Sequence, residues 1–264
     1  MIDTVPALLR DGELIVEGRL VAASNATLLC RLGDAGVNGS DHVRCVYKPV
    51  AGERPLWDFP DGTLAPREVA AYLVSEAAGW HVVPPTVLRD GPFGPGVCQL
   101  WIEQDGTGLV DIVAPTAVPE GWLRVLDAED AAGELVTLVH ADDPRLRRMA
   151  LFDLVVNNAD RKGGHVLVTA DGAVLGVDHG VCFHADPKLR TVLWGWSGRP
   201  LSDDERQTLN RLAADLGGDL GDRLAKLLEA AEVAATVARI DDLLGQGRFP
   251  GPEMSRMPIP WPPF

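Results

Sequence analysis

The sequence predicts an α+β fold in two successive parts, β-rich first and helix-rich second. Three observations carry this. Short β-prone runs separated by turn residues fill the first hundred positions, with one helical pattern among them. From about residue 104 the apolar residues recur mostly at helical spacing. Inside that second half lies one hairpin signal, Thr169-Ala170-Asp171-Gly172, flanked by apolar runs. With 264 residues the chain has room for two lobes sharing a cleft, and 46% apolar residues suffice for a sizeable core.

Taken in order, Leu14-Ile15-Val16 with Gly18-Arg19-Leu20-Val21 reads as one β-run and Ala26 to Cys30 as the next. Ser24-Asn25 is the polar turn between them. His42 to Lys48 alternates and is stopped by Pro49, which makes a third strand. Residues 51–64, rich in Gly, Pro and Asp, form a loop. A helix starts near Pro66, tolerated in a first turn, and Val69, Tyr72, Leu73 and Ala77 are expected on its core face. Gly79 ends it. Val82 to Val87 is extended, and Val97 to Ile102 closes the first part as a strand. Residues 104–118 read as loop and 119–140 as helix. Pro144 to Val156 is a strongly apolar helix, and Leu201 to Leu244 is helical, with Ser202 as cap and Glu205 three residues on. The tail from Phe249 holds six prolines and is extended, either as a lid or as a loose end. The divisions expected are 1–103, 104–248 and the tail 249–264, without internal repeats.

A net charge of −14 repels nucleic-acid phosphates and anionic membrane surfaces, so no nucleic-acid partner is expected. No apolar run reaches the length needed to span a bilayer, which argues against membrane insertion. Met1 to Arg10 lacks the basic and apolar regions of a signal peptide. The cysteines Cys30, Cys45, Cys98 and Cys182 are widely spaced, with no Cys-x-x-Cys. They read as reduced, buried thiols of a cytoplasmic protein.

Most informative is Asn157-Asn158-Ala159-Asp160-Arg161-Lys162-Gly163-Gly164-His165, followed by Gly176-Val177-Asp178-His179-Gly180. The hairpin between them brings Asp160 at its entrance and Asp178 at its exit to the same end. Two converging carboxylates suit metal binding and proton handling. Asn-x-Asp-Arg at Asn158 to Arg161, then Val-Asp-x-Gly, resembles the catalytic loop and metal-binding Asp-x-Gly of the phosphatidylinositol 3-/4-kinase-like branch of the protein-kinase superfamily. An actinobacterial group of uncharacterised proteins within that branch is similar too. Tyr47-Lys48-Pro49 and the helix leading to Val83-Pro84-Pro85-Thr86 extend the likeness, which covers roughly residues 12–185.

The resemblance implies a two-lobed protein-kinase-like fold, with a β-rich N-lobe and a helical C-lobe. It implies ATP as substrate, Mg²⁺ or Mn²⁺ as cofactor, and transfer of the γ-phosphoryl group to a hydroxyl acceptor. Protein, small metabolite and lipid headgroup all remain as acceptors, the last disfavoured by charge, and nucleotidyl transfer also stays open. Under it, Lys48 binds phosphates and Glu68 holds that lysine, with Glu76 two turns later as a competitor. Ser24 and Asn25 belong to a phosphate-covering turn that lacks Gly-x-Gly-x-x-Gly. Trp101, Ile102 and Glu103 form the hinge that reads adenine. Asp160 is the base and Asp178 a metal ligand.

His165 departs from the pattern, because this position normally carries a metal-ligating asparagine. Magnesium prefers hard oxygen donors, so the histidine points to Mn²⁺, to a one-metal mechanism, or to a nucleotide-binding pseudokinase. Each assignment has a plainer alternative: Lys48 as a solvated strand end, Glu68 as a surface carboxylate, His165 as a hydrogen-bonded residue at a strand start. A third class is a metal-dependent hydrolase built from Asp160, His165, Asp178, His179 and His184. Its spacing matches no helical ligand pair, and adjacent Asp178 and His179 would point opposite ways on a strand.

Overall fold

A computed structural model describes residues 5–20, 25–33, 43–60, 63–106, 108–253 and 257–264. Ser24, assigned above to the phosphate-covering turn, lies outside them. The architecture is α+β, with antiparallel sheets and six α-helices among the described residues. β1 (Glu13–Arg19), β2 (Leu28–Gly33), β3 (Arg44–Pro49), β4 (Thr86–Gly91) and β5 (Gly94–Leu100) form one sheet in the order β1-β2-β3-β5-β4. Alternation along β3 decides what each face of that sheet does. Cys45 and Tyr47 are buried in a small cluster with Leu9, Cys30, Val87 and Cys98, under α1 (Val5–Asp11). Lys48, one residue on, therefore points to the opposite face, where α2 (Leu64–Ala77) packs against β4 and β5.

α2 begins two residues before the expected Pro66, and its core face is rotated from the one the apolar spacing suggested. Ala70, Ala71 and Val74 are buried together with the charged Arg67 and Glu68, whereas Ala77 is exposed and Val69, Tyr72 and Leu73 are only half-buried. The reason is electrostatic. Arg67 donates to Glu232 Oε1 at 2.5 Å and to the Cys182 carbonyl at 2.7 Å, so the helix is oriented by buried charges that apolar periodicity does not register.

Residues 104–141 overturn the expected loop and helix. They form a second sheet, β6 (Val110–Val113), β7 (Trp122–Glu129) and β8 (Leu135–Ala141), in the order β6-β8-β7. Leu, Arg, Ala and Glu in β7 are good helix formers, and a bulge between Arg124 and Leu126 breaks its alternation. β8 decides the outcome: β-rich Leu135-Val136-Thr137-Leu138-Val139 pairs on both sides, and a tight turn with Gly133 at φ 81° closes the hairpin.

α3 (Pro144–Val156) starts at Asp143, whose carboxylate caps Arg145 N at 2.8 Å. It ends at Asn157 in the left-handed region, φ 53°. β9 (Val166–Val168) and β10 (Val174–Gly176) make the expected antiparallel hairpin. The continuous helix expected over 201–244 is three: α4 (Asp203–Leu216), α5 (Asp219–Leu224) and α6 (Ala230–Gln246). Gly217-Gly218 interrupts the first pair and a capping box at Glu229 starts the last. The Ser202–Glu205 capping box is present on α4. The main core gathers α2, α3, the hairpin and the buried leucines of α4 and α5. All four cysteines are free and buried, and among the described residues no helix is long and apolar enough to cross a membrane.

Candidate functional site

The site forms where β3, α2, the loop after α3 and the exit of β10 meet. Lys48 Nζ donates to Glu68 Oε1 at 2.6 Å and to Asp178 Oδ1 at 2.9 Å, joining groups 20 and 130 residues away. Lys48 is 21% exposed, so it is no solvated strand end, and Glu68 is buried. Burial works against the ammonium, but Asp178 and Glu68 more than offset it and hold its pKa far above the usual value. Lys48 in turn pushes the Asp178 carboxyl far down. Glu68 Oε2 also accepts the backbone N–H of His179 at 3.0 Å, which fixes the turn carrying Asp178. Glu76 is elsewhere, paired with His81 Nδ1 at 2.9 Å.

Asp178 has φ 65°, a conformation rare outside glycine. Asp178 and His179 consequently part company. Asp178 lines a cavity of about 400 Å³ with Lys48, Glu68 and Asp160, whereas His179 is wholly buried. Asp160 and Asp178 thus share one cavity, at the same end of the hairpin. Burial raises the Asp160 pKa above the ordinary carboxylate range, while Lys162, 3.4 Å from Oδ2, draws it back. His165 Nδ1 donates to the Asp160 carbonyl at 2.9 Å, which leaves its Nε2 lone pair 3.6 Å from Asp178 Oδ2. Burial pushes the His165 pKa down to about 4, so the ring is neutral at pH 7.

A support lies behind this surface that the sequence reading missed. Arg161 and Asp153 are both 0% exposed and bond through Nε at 3.0 Å and Nη2 at 2.9 Å. Arg161 also donates to the carbonyls of His165 and Val177 and, at 2.7 Å, to His179 Nε2. Gly176 is required there, because a Cβ would meet the guanidinium at 2.8 Å. Asn158 donates to Asp153 Oδ1 and accepts from Asp160 N at 3.0 Å. Asn157 reaches the carbonyls of His184 and Asp186. One signal was available: Asp153 is the single carboxylate of α3, set among Leu151, Phe152, Leu154 and Val155, and such residues are buried only when paired.

Of the other expected residues, Asn25 lines the cavity and its Oδ1 accepts Arg54 N at 3.0 Å. Trp101, Ile102 and Glu103 leave β5 beside it but do not line it; Trp101 Nε1 donates to Glu103 Oε1 at 2.9 Å. Among the described residues, no group of three or more His, Cys, Asp and Glu is placed to hold a metal. His179 is occupied by Arg161, and His184 Nδ1 accepts from Asp186 N at 2.9 Å. The donors that do face one another across the site are Asp178 and His165. A carboxylate and a neutral imidazole fixed by a carbonyl suit Mn²⁺ and, with phosphate oxygens added, Mg²⁺.

No family model matches the chain. Lys48, Glu68, Asp160 and Asp178 thus line one cavity, with His165 Nε2 3.6 Å from Asp178 Oδ2 at its edge. The chain belongs to the family of Protein Rv2133c of Mycobacterium tuberculosis (strain ATCC 25618 / H37Rv). The two are 53% identical over 272 residues, covering 99% of this chain and 96% of that protein. It is also similar to phosphatidylinositol 4-kinase gamma 4 of Oryza sativa subsp. japonica, 26% identical over 174 residues. That match takes in 58% of this chain and only 27% of the rice protein's length. A crystal structure of the Helicobacter pylori proinflammatory kinase CtkA aligns with 91% of this chain and 94% of its own, at a TM-score of 0.44 and 10% identity.

Proposed function

We propose that the chain is a two-lobed, kinase-like phosphotransferase that binds ATP with a divalent metal and passes the γ-phosphoryl group to a hydroxyl acceptor. The observation that carries this is the Lys48 ammonium bonded at once to Glu68 and Asp178 across a cavity that also holds Asp160. The sequence similarity to a phosphatidylinositol 4-kinase supports it over part of the chain. The lobes are residues 1–103 and 104–248, and residues 257–264 pack on the second.

In this reading Glu68 keeps Lys48 extended toward the α- and β-phosphates. Asp178 and His165 would hold the metal, which would supply charge neutralisation at the phosphates. Asp160 orients the acceptor hydroxyl and takes its proton; a pKa raised by burial strengthens it as a base. Lys162 beside it pairs with the Asp160 carboxylate. Asn25 covers the phosphates, and Trp101 to Glu103 read adenine, an assignment that rests on chain position.

A nucleotide-binding pseudokinase is the second reading, and His165 in place of a hard oxygen donor favours it. The hydrolase reading loses its ligands, since His179 and His184 are bonded elsewhere. Incubation with ATP labelled separately at the α- and γ-phosphates, with Mg²⁺ or Mn²⁺ and an acceptor panel, tests the proposal. Transfer of γ-label supports phosphoryl transfer, and transfer of α-label means nucleotidyl transfer. Absence of nucleotide binding with either metal would end the kinase-like reading altogether.

A further inference from the structure

Away from the candidate site, the sheet β6-β8-β7 and the C-terminal segment enclose a cavity of about 500 Å³. Ile112, Leu126 and Leu138 make one wall; Trp194, Ile259 and Trp261 make the other. Four of the chain's exposed large apolar side chains, Ile112, Leu126, Met257 and Trp261, line it. Apolar surface gathered in this way, rather than scattered, marks a binding site. The volume falls within the range of small-molecule pockets. Its outer wall resists collapse. Pro252, Pro258 and Pro263 hold fixed φ angles, and the Pro258 carbonyl accepts from Thr191 N and Trp194 Nε1, both at 3.0 Å.

Charge selects among apolar occupants. Among the described residues no lysine or arginine lines the cavity, and its charged lining residues are Glu129 and Asp130. Asp130 is committed to its turn, accepting from Ala132 N at 2.8 Å and Glu134 N at 2.9 Å. A carboxylate or sulfonate headgroup would find no cation among the described residues here and would face a carboxylate.

The same wall reaches the loop that carries Asp160. The Pro263 carbonyl accepts from Gly163 N at 2.8 Å, and the Phe264 ring lies where a Cβ on Gly163 would stand. Thr191, held by Pro258, pairs with Arg161 in an isolated parallel bridge. We propose that this cavity binds an uncharged apolar small molecule, and that its occupancy is transmitted through residues 257–264 to the Asp160–His165 loop. The cavity stands independently of the proposed function; only the meaning of the coupling rests on it.

Nile red, a neutral lipophilic dye, serves as the probe. It should bind saturably at one site with blue-shifted emission. A ten-carbon alcohol should displace it, and the ten-carbon carboxylate should do so far more weakly. Ala128→Trp, which fills the cavity from an exposed strand position, and Leu126→Glu, which charges it, should each weaken binding at least about tenfold. Saturating dye should change hydrogen exchange at the Gly163 amide. Absence of saturable binding, or wild-type affinity in both variants with native circular dichroism, overturns the site. Equal displacement by alcohol and carboxylate overturns the charge selection. Unaltered exchange at Gly163 overturns the coupling. ATP calorimetry on the same protein reports separately on the proposed function.

Discussion

Arg161–Asp153 and Lys48–Glu68–Asp178 are both clusters of cation and carboxylate, and they lie on the two sides of one short turn. Arg161 and Asp153 are sealed from water, and the arginine spends its donors on Asp153, on the His165 and Val177 carbonyls and on His179. Asp178 is 52% exposed and looks into the cavity, so its bond to Lys48 can be exchanged for a ligand. A buried pair tolerates no loss of a partner, because the remaining charge stays in a low dielectric. An exposed carboxylate such as Asp178 loses little, since water replaces the partner, whereas Glu68 is buried. The first cluster thus holds the loop and the second remains available for chemistry, with His179 and Glu68 linking them.

The largest test of this contrast is Arg161→Leu, which strands the Asp153 carboxylate. It should cost about 3–5 kcal/mol of stability, read as a lowered urea midpoint at unchanged slope. A loss near zero would mean that Asp153 takes up its proton without consequence and that the pair does not anchor the loop. Asp160→Asn comes next and acts on rate alone. γ-Phosphoryl transfer should fall about 10²–10⁴-fold, while ATP affinity and the urea midpoint stay at wild-type values. Equally undetectable transfer in wild type and variant, with ATP bound, would favour the pseudokinase.

Lys48→Met should lower the urea midpoint, though less than Arg161→Leu, because the buried Glu68 carboxylate loses its cation but keeps the His179 N–H. Its ATP affinity should drop about tenfold or more, the worth of a charge-assisted contact. Calorimetry showing wild-type affinity would remove Lys48 from the phosphate site. The smallest effect is expected from His165→Asn, a change from imidazole to amide oxygen. Stability should hardly move, and the metal preference in ATP binding should shift from Mn²⁺ toward Mg²⁺. An unchanged preference would leave His165 as a strut for the Asp160 carbonyl.

Local signals were legible wherever neighbours in sequence decide the structure. Asp171-Gly172 between β-prone runs gave the hairpin, Asp143-Pro144 opened α3, and the Ser202–Glu205 box opened α4. Lys48, Asp160 and Asp178 stood out as motif residues, and the fold brings them to one cavity. Residues 119–140 were misread because helix-forming side chains in β7 adopt the partner's conformation once β8 offers a ladder. α1, at seven residues, is too short for periodicity to show. The rotated face of α2 and the role of Arg67 depend on Glu232, 165 residues away.

By itself the sequence determined a β-rich beginning and a helix-rich end, though not the β6-β8-β7 sheet between them, and it determined the hairpin with its two flanking carboxylates and the chemical types available to the site. Each of these follows from propensity, turn chemistry or spacing within a few residues. The tertiary structure alone decided that Lys48 lies between Glu68 and Asp178, that His179 turns inward to Arg161, and that the proline-rich segment walls a cavity and holds Gly163. The physical reason is that buried charge pairing and backbone hydrogen bonding between distant segments take their value from desolvation. Desolvation exists only once the chain has closed around them.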